Sequence, residues 1–172
     1  MEDIIRPFIP HDAFSWFEEY IKPDMRIFEY GSGMSTLWFG KNATEVIAVE
    51  NSKLWFDTVN EKLKTHNIDN VQLLFKEDGG EYSKLIHNYD GLFDIVFVDG
   101  RFRMECMKEC FDKAKYAIFM DNTDADHYQN AFDVMKSYKN GTIKTFSSYG
   151  LNPYTGEDQP AAWQASVFLK EI

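Results

Sequence analysis

Apolar residues in this chain fall into continuous runs separated by helical stripes. Five short runs, 25–30, 45–50, 71–75, 93–99 and 116–121, are apolar at consecutive rather than alternate positions. That pattern predicts strands covered on both faces, as in a parallel sheet. Over 11–21, Ala13, Trp16, Phe17, Tyr20 and Ile21 recur at helical spacing, and Pro23 ends the segment. Ser52 is placed to cap a helix carrying Trp55, Phe56, Val59 and Leu63. Phe102, Cys106, Met107, Cys110, Phe111 and Ala114 form another apolar helical face. Tyr128, Ala131, Phe132, Met135 and Tyr138 form the next, with Thr123 or Asp124 as its cap. Two final runs, 143–146 and 164–169, flank a loop with Gly and Pro but no helix, which predicts an antiparallel hairpin at one sheet edge. Strands alternating with helices imply right-handed crossovers and a doubly wound α/β fold. The expected organisation is one domain over 1–172, seven strands mostly parallel, with 1–22 an N-terminal helical segment whose aromatics are placed to form a lid.

Composition narrows the class. Hydrophobic residues make up 44% and aromatics 16%, too apolar for a disordered chain. With 18 Lys+Arg against 28 Asp+Glu the formal charge is −10, which argues against a nucleic-acid partner, since a polyanion needs clustered cations. Two cysteines make no disulfide framework, and no run approaches the roughly 20 apolar residues of a membrane span. No basic and apolar leader opens the sequence. A cytoplasmic protein with no membrane partner is expected.

In an open parallel sheet, ligands bind beyond the carboxyl ends of the strands where strand order reverses. Those ends read Glu29-Tyr30-Gly31-Ser32-Gly33-Met34-Ser35-Thr36, then Glu50, Glu77-Asp78-Gly79-Gly80, Asp99-Gly100 and Asp121-Asn122. Each carries a carboxylate or leads into one. Such a cluster suits hydroxyls, amines and cations better than phosphates. Glycines at the first turn allow a sharp bend and close approach of a ligand. Glu50, 21 residues after Glu29, can accept hydrogen bonds from a vicinal diol such as a ribose. The dinucleotide pattern G-x-G-x-x-G is broken, because Thr36 stands where its third glycine would be.

The stretch 29–36 closely resembles the first motif of class I S-adenosylmethionine-dependent methyltransferases, and the resemblance extends over residues 25–172. It implies a Rossmann-like methyltransferase fold. It also implies a turn Glu29, Gly31, Ser32, Gly33 around the cofactor's amino-acid end, Glu50 on the ribose and Asp78 on the adenine amino group. Asp99-Gly100 resembles the family's fourth motif near the methyl-transfer site. The implied activity is methyl transfer to oxygen or nitrogen of a small molecule, with Asp99 and Asp121 as catalytic candidates. S-adenosylmethionine is a sulfonium cation without phosphate, so acidic strand ends do not repel it.

Catechol O-methyltransferase and its relatives hold a divalent metal on an Asp ending the fourth strand and an Asp-Asn ending the fifth, here Asp99, Asp121 and Asn122. Phe102 replaces their catalytic Lys, a departure that argues against the metal. His127 is a candidate base or a surface helix residue. Asn152-Pro153-Tyr154 resembles part of the signature of nucleic-acid amino-methyltransferases. It lies between the last two runs rather than after the fourth, and reads as a turn. Cys106 and Cys110 read as packing residues. Two other classes stay open: an NAD(P)-dependent oxidoreductase, and a non-catalytic protein that binds the cofactor or a partner. A homodimer would be one way for so short a chain to complete its substrate site.

Overall fold

A computed structural model describes residues 4–171. The chain runs α1 (His11–Tyr20), β1 (Arg26–Tyr30), α2 (Met34–Asn42), β2 (Glu45–Glu50), α3 (Lys53–Thr65), β3 (Val71–Phe75), α4 (Gly79–Lys84), β4 (Phe93–Val98), α5 (Arg103–Cys110), β5 (Ala114–Met120), α6 (Gln129–Ser137), β6 (Gly141–Ser148) and β7 (Trp163–Lys170). The seven strands form one sheet in the order β3-β2-β1-β4-β5-β7-β6. β1 to β5 are parallel, and β7 is antiparallel to both β5 and β6. Strand order reverses between β1 and β4. The doubly wound sheet and its terminal hairpin agree with the expectation from the apolar runs.

Both faces are buried, which is why the strands are continuously apolar. Phe28, Tyr30, Val96, Val98, Ile118 and Met120 face α4, α5 and α6, where Tyr82, Cys106, Met107, Cys110, Ala131 and Met135 meet them. On the opposite face, Ile27, Ile95, Phe97, Ala117 and Phe119 pack against Ala13 and Phe17 of α1 and Trp38 and Phe39 of α2. Phe17 touches the rings of Trp38, Phe39, Phe97 and Phe119. α1 is thus seated on the sheet, while Phe8, in the segment preceding it, stands beside Asp121 and Trp163. Both cysteines are buried as packing residues, and burial pushes the Cys110 thiol up to about 12. Among the described residues no helix is long and apolar enough to cross a membrane.

Two local expectations are corrected. Neither Thr123 nor Asp124 caps α6, which begins at Gln129 after a 3-10 turn Asp126–Tyr128. Thr123 Oγ1 instead bonds Ser166 Oγ (3.0 Å), and Asp124 Oδ1 accepts from Gln164 N (3.0 Å). Both side chains fasten the end of β5 to β7, a tertiary use no local spacing reveals. Ala114 also leaves the helical face assigned to it and opens β5, with a 3-10 turn Phe111–Lys113 between. Ser52 does cap α3, accepting from Trp55 N at 3.4 Å.

Candidate functional site

Gly31 and Gly100 bring the ends of β1 and β4 together. Gly31 has φ +99°, and its N–H bonds Val49 O (2.9 Å), while Asp99 N bonds Tyr30 O (3.0 Å). A Cβ at Gly31 would lie 2.8 Å from Gly100 N, and one at Gly100 would lie 2.7 Å from Gly31 N and against the Tyr82 hydroxyl. The two backbones touch where the strand order reverses, and the space above them stays open.

That space is a cavity of about 660 Å³ lined by Gly31, Ser32, Glu50, Trp55, Asp99 and Gly100, with Arg101, Arg103, His127 and Tyr128 across it. Glu50 is fixed by its own neighbours. Its Oε1 accepts from Asn51 N (2.9 Å) and Ser52 N (2.8 Å), and its Oε2 accepts from Ser32 Oγ (2.9 Å). A carboxylate has about four lone-pair sites, so one acceptor position remains on Oε2. Trp55 walls the cavity and donates from Nε1 to Ser32 O (2.6 Å). The turn continues into α2, where Thr36 Oγ1 accepts from Gly33 N (2.9 Å). The hydroxyl that displaces a third glycine is therefore used to close the turn.

Glu29 lies beneath the turn, 1% exposed, and is not among the cavity's lining residues. Ser35 Oγ donates to its Oε1, and Oε2 has no hydrogen-bond partner among the described residues. Burial raises its carboxyl to about 8, against the opposing hydroxyls of Ser35 and Thr36. Asp78 also lies outside that cavity's lining. Its Oδ1 accepts from Gly80 N (2.9 Å) and Glu81 N (3.0 Å) and caps α4. Replacing it by Ala is expected to cost about 1 kcal/mol of stability, measurable by urea unfolding.

At the far side, Asp99 joins this cavity to a second one of about 240 Å³, lined by Phe8, Asp99, Asp121, Asn122, Gln159 and Trp163. Trp163 Nε1 donates to Asp121 Oδ1 (3.0 Å). Burial raises both aspartyl carboxyls; Asp99 pushes Asp121 further up, while the Arg103 guanidinium opposes the shift in each. Sequence reasoning missed Arg103, which reaches Asp99 Oδ1 (3.0 Å) and Asn122 Oδ1 (3.3 Å). Arg103 holds Asp99 Oδ1 and Asn122 Oδ1, two of the side-chain oxygens suggested for a divalent cation, and Trp163 holds Asp121 Oδ1, so the residues present do not fit a metal. Among the described residues no group of three or more His, Cys, Asp or Glu is arranged to hold one. Phe102, where the catechol-type Lys would be, has φ +55° and packs its ring on Tyr82 (centroids 5.7 Å) and Gly79.

Three other residues were missed or placed only locally. His127 lies in the 3-10 turn, exposed, at the cavity wall. Asn152-Pro153-Tyr154 is a turn as expected, with Tyr154 N bonded to Asn152 Oδ1 (2.9 Å). The Tyr154 ring, however, packs on Trp55 and its hydroxyl accepts from Met34 N (3.3 Å), above the glycine turn. Trp163 opens β7 and lines the smaller cavity beside Asp121.

No family model matches the chain, and no curated protein matches it. Solved structures do. An O-methyltransferase from Bacillus cereus in complex with SAH superposes with a TM-score of 0.71 at 14% identity, over 86% of this chain and 74% of that one. A precorrin-6y C5,15-methyltransferase from Geobacter metallireducens gives 0.70 at 14%, over 91% and 87%. An rRNA methylase from Streptococcus thermophilus gives 0.67 at 15%, over 99% of each chain. The chain has the Rossmann-like fold that these methyltransferases share.

Proposed function

We propose that the chain binds S-adenosylmethionine and transfers its methyl group to oxygen or nitrogen of a small molecule. The observation that carries this reading is the Gly31–Gly100 contact, with Glu50 and Asp99 on opposite walls of the cavity above it. The residues fit the cofactor. Glu50, with one acceptor position left on Oε2, would hold its ribose, and the main chain at Gly31 that lines the cavity would hold its amino-acid end. An ammonium group bound above the turn would favour the ionised form of Glu29, whose Oε2 has no hydrogen-bond partner among the described residues. Glu29, Gly31, Ser32, Gly33, Glu50 and Asp99 are the proposed contacts. Asp78 contributes through the cap of α4, against whose first residue, Gly79, the Phe102 ring packs.

When bound, the cofactor supplies an electrophilic methyl on a sulfonium. The chain's own part is to align the nucleophile and take its proton. Asp99 stands between the two cavities, its Oδ1 held by Arg103, which leaves Oδ2 to accept a proton or hydrogen bond from the acceptor. Asp121 is oriented by the Trp163 indole N–H. Phe8 and Trp163 give the acceptor side an apolar wall.

The small size of that second cavity and the charge of −10 support a small acceptor over RNA. The acidic strand ends also disfavour the diphosphate of a nicotinamide cofactor, and Thr36 occupies the third-glycine position. Incubation with isotopically labelled methyl donor and a panel of phenols, amines and RNA tests the acceptor class. Label in a small molecule supports the proposal, and label only in RNA overturns it. Glu50→Ala is expected to weaken binding of the demethylated product about 100-fold, the loss of roughly 2–3 kcal/mol for a charged hydrogen-bond acceptor. Equilibrium dialysis reads that change, and reduced nicotinamide cofactor serves as the control ligand.

A further inference from the structure

One guanidinium at the start of α5 gathers oxygens from the ends of two strands. Arg103 Nε donates to Gly100 O (2.9 Å), and Nη2 donates to Asp99 O (2.9 Å) and Asp99 Oδ1 (3.0 Å). Nη1 donates to Asp121 O and to Asn122 Oδ1 (3.3 Å). A guanidinium has five N–H donors and no acceptor, so each donor here has its own oxygen. The Arg103 side chain is 5% exposed, and the Tyr128 ring covers the guanidinium carbon at 4.0 Å. Phe102, at φ +55°, turns the chain so that it is itself exposed while Arg103 is buried. A bulky residue adopts that conformation at a cost, which the surrounding contacts must offset.

Oxygen-only coordination from carboxylate, amide and main-chain carbonyl groups is the environment a hard divalent cation takes. We propose that Arg103 is the resident cation of this edge. Its guanidinium takes up the Asp99 and Asn122 side-chain oxygens that a divalent metal would need, together with the Asp121 main-chain carbonyl, and it positions Asp99 between the two cavities without one. A guanidinium supplied by the chain needs no metal. Its planar fork fixes the direction of the Asp99 carboxylate.

The substitution has a consequence for the acceptor, which rests on the methyltransferase reading above. A metal can add substrate oxygens to its coordination sphere, whereas Arg103 has no donor left to offer. The acceptor is then held by Asp99 and Asp121 through a single hydroxyl or amine, and a chelating vicinal diol gains nothing.

Titration with Mn²⁺, followed by the electron paramagnetic resonance signal of the free ion, tests the placement without any methyl donor. The wild type is expected to leave the signal unchanged, and R103K, which keeps a charge there, is expected to do the same. Arg103→Ala and Arg103→Gln are expected to remove one equivalent of free Mn²⁺ per protein, and adding Asn122→Ala is expected to abolish that binding. Circular dichroism verifies which variants are folded. Wild-type binding of Mn²⁺ that is lost in Asn122→Ala overturns the proposal, as does the absence of a site in a folded Ala or Gln variant. Failure of the methyltransferase reading would appear separately, in titrations with the cofactor.

Discussion

Glu29→Gln is expected to reverse its rank against the wild type as pH rises. The Glu29 carboxyl ionises near its ordinary 4.5 in the unfolded chain but near 8 in the folded one, because burial disfavours the charge. Its folded form therefore holds a proton that the unfolded form has lost between those values. The stability this group contributes is complete below 4.5 and is lost progressively as pH approaches 8. Across that window the wild type loses roughly 5 kcal/mol through this residue. Glutamine does not titrate. At low pH the variant should be less stable by about 1–2 kcal/mol, because its amide hydrogens meet a site built around an acid. Above pH 8 it should be the more stable of the two. Urea unfolding of both proteins across the pH range checks this, since other titrating groups cancel in the difference. Parallel pH profiles would show that Glu29 does not titrate as its burial requires.

Gly31→Ala is expected to combine a loss of stability with a loss of ligand binding. Two effects add at this position. A side chain at φ +99° is strained, and its Cβ would press within 2.8 Å of the Gly100 backbone. The obstruction is main chain, so no rotamer change relieves it. The ends of β1 and β4 must separate, at a combined cost of about 3 kcal/mol or more. Gly100→Ala should behave similarly, since its Cβ meets Gly31 and Tyr82. By contrast Gly80→Ala, where the nearest atom is the Asp78 carboxylate at 3.1 Å, should lose far less. Chemical denaturation of the three variants reads the difference; equal losses would remove the special status of the β1–β4 contact.

The sheet was legible in the sequence because burial on both faces writes itself as consecutive apolar residues, and the absence of a helix between 143–146 and 164–169 exposed the hairpin. The placement of Gly31 and Glu50 at one cavity was legible because it follows from backbone geometry and spacing at adjacent strand ends. Arg103 was not. It lies on a segment whose neighbours are apolar, and its partners Asp121 and Asn122 come from the next strand in the sheet. Tyr154 and Trp163 were hidden for the same reason: a loop between β6 and β7 carries one across to the glycine turn and leaves the other behind Asp121. Asp78 shows the opposite limit. A carboxylate at a strand end followed by two glycines fits a ligand contact and a helix cap equally well in sequence, and the cap is what its oxygen makes.

Isothermal titration calorimetry of the wild-type protein with S-adenosylmethionine and with its demethylated product tests the central claim most directly. Saturable binding of both at one site per chain, weakened by Glu50→Ala and absent for reduced nicotinamide cofactor, is the expected result. No heat from either ligand with a folded protein, or binding indifferent to Glu50→Ala, would contradict the cofactor site on the β1–β4 edge.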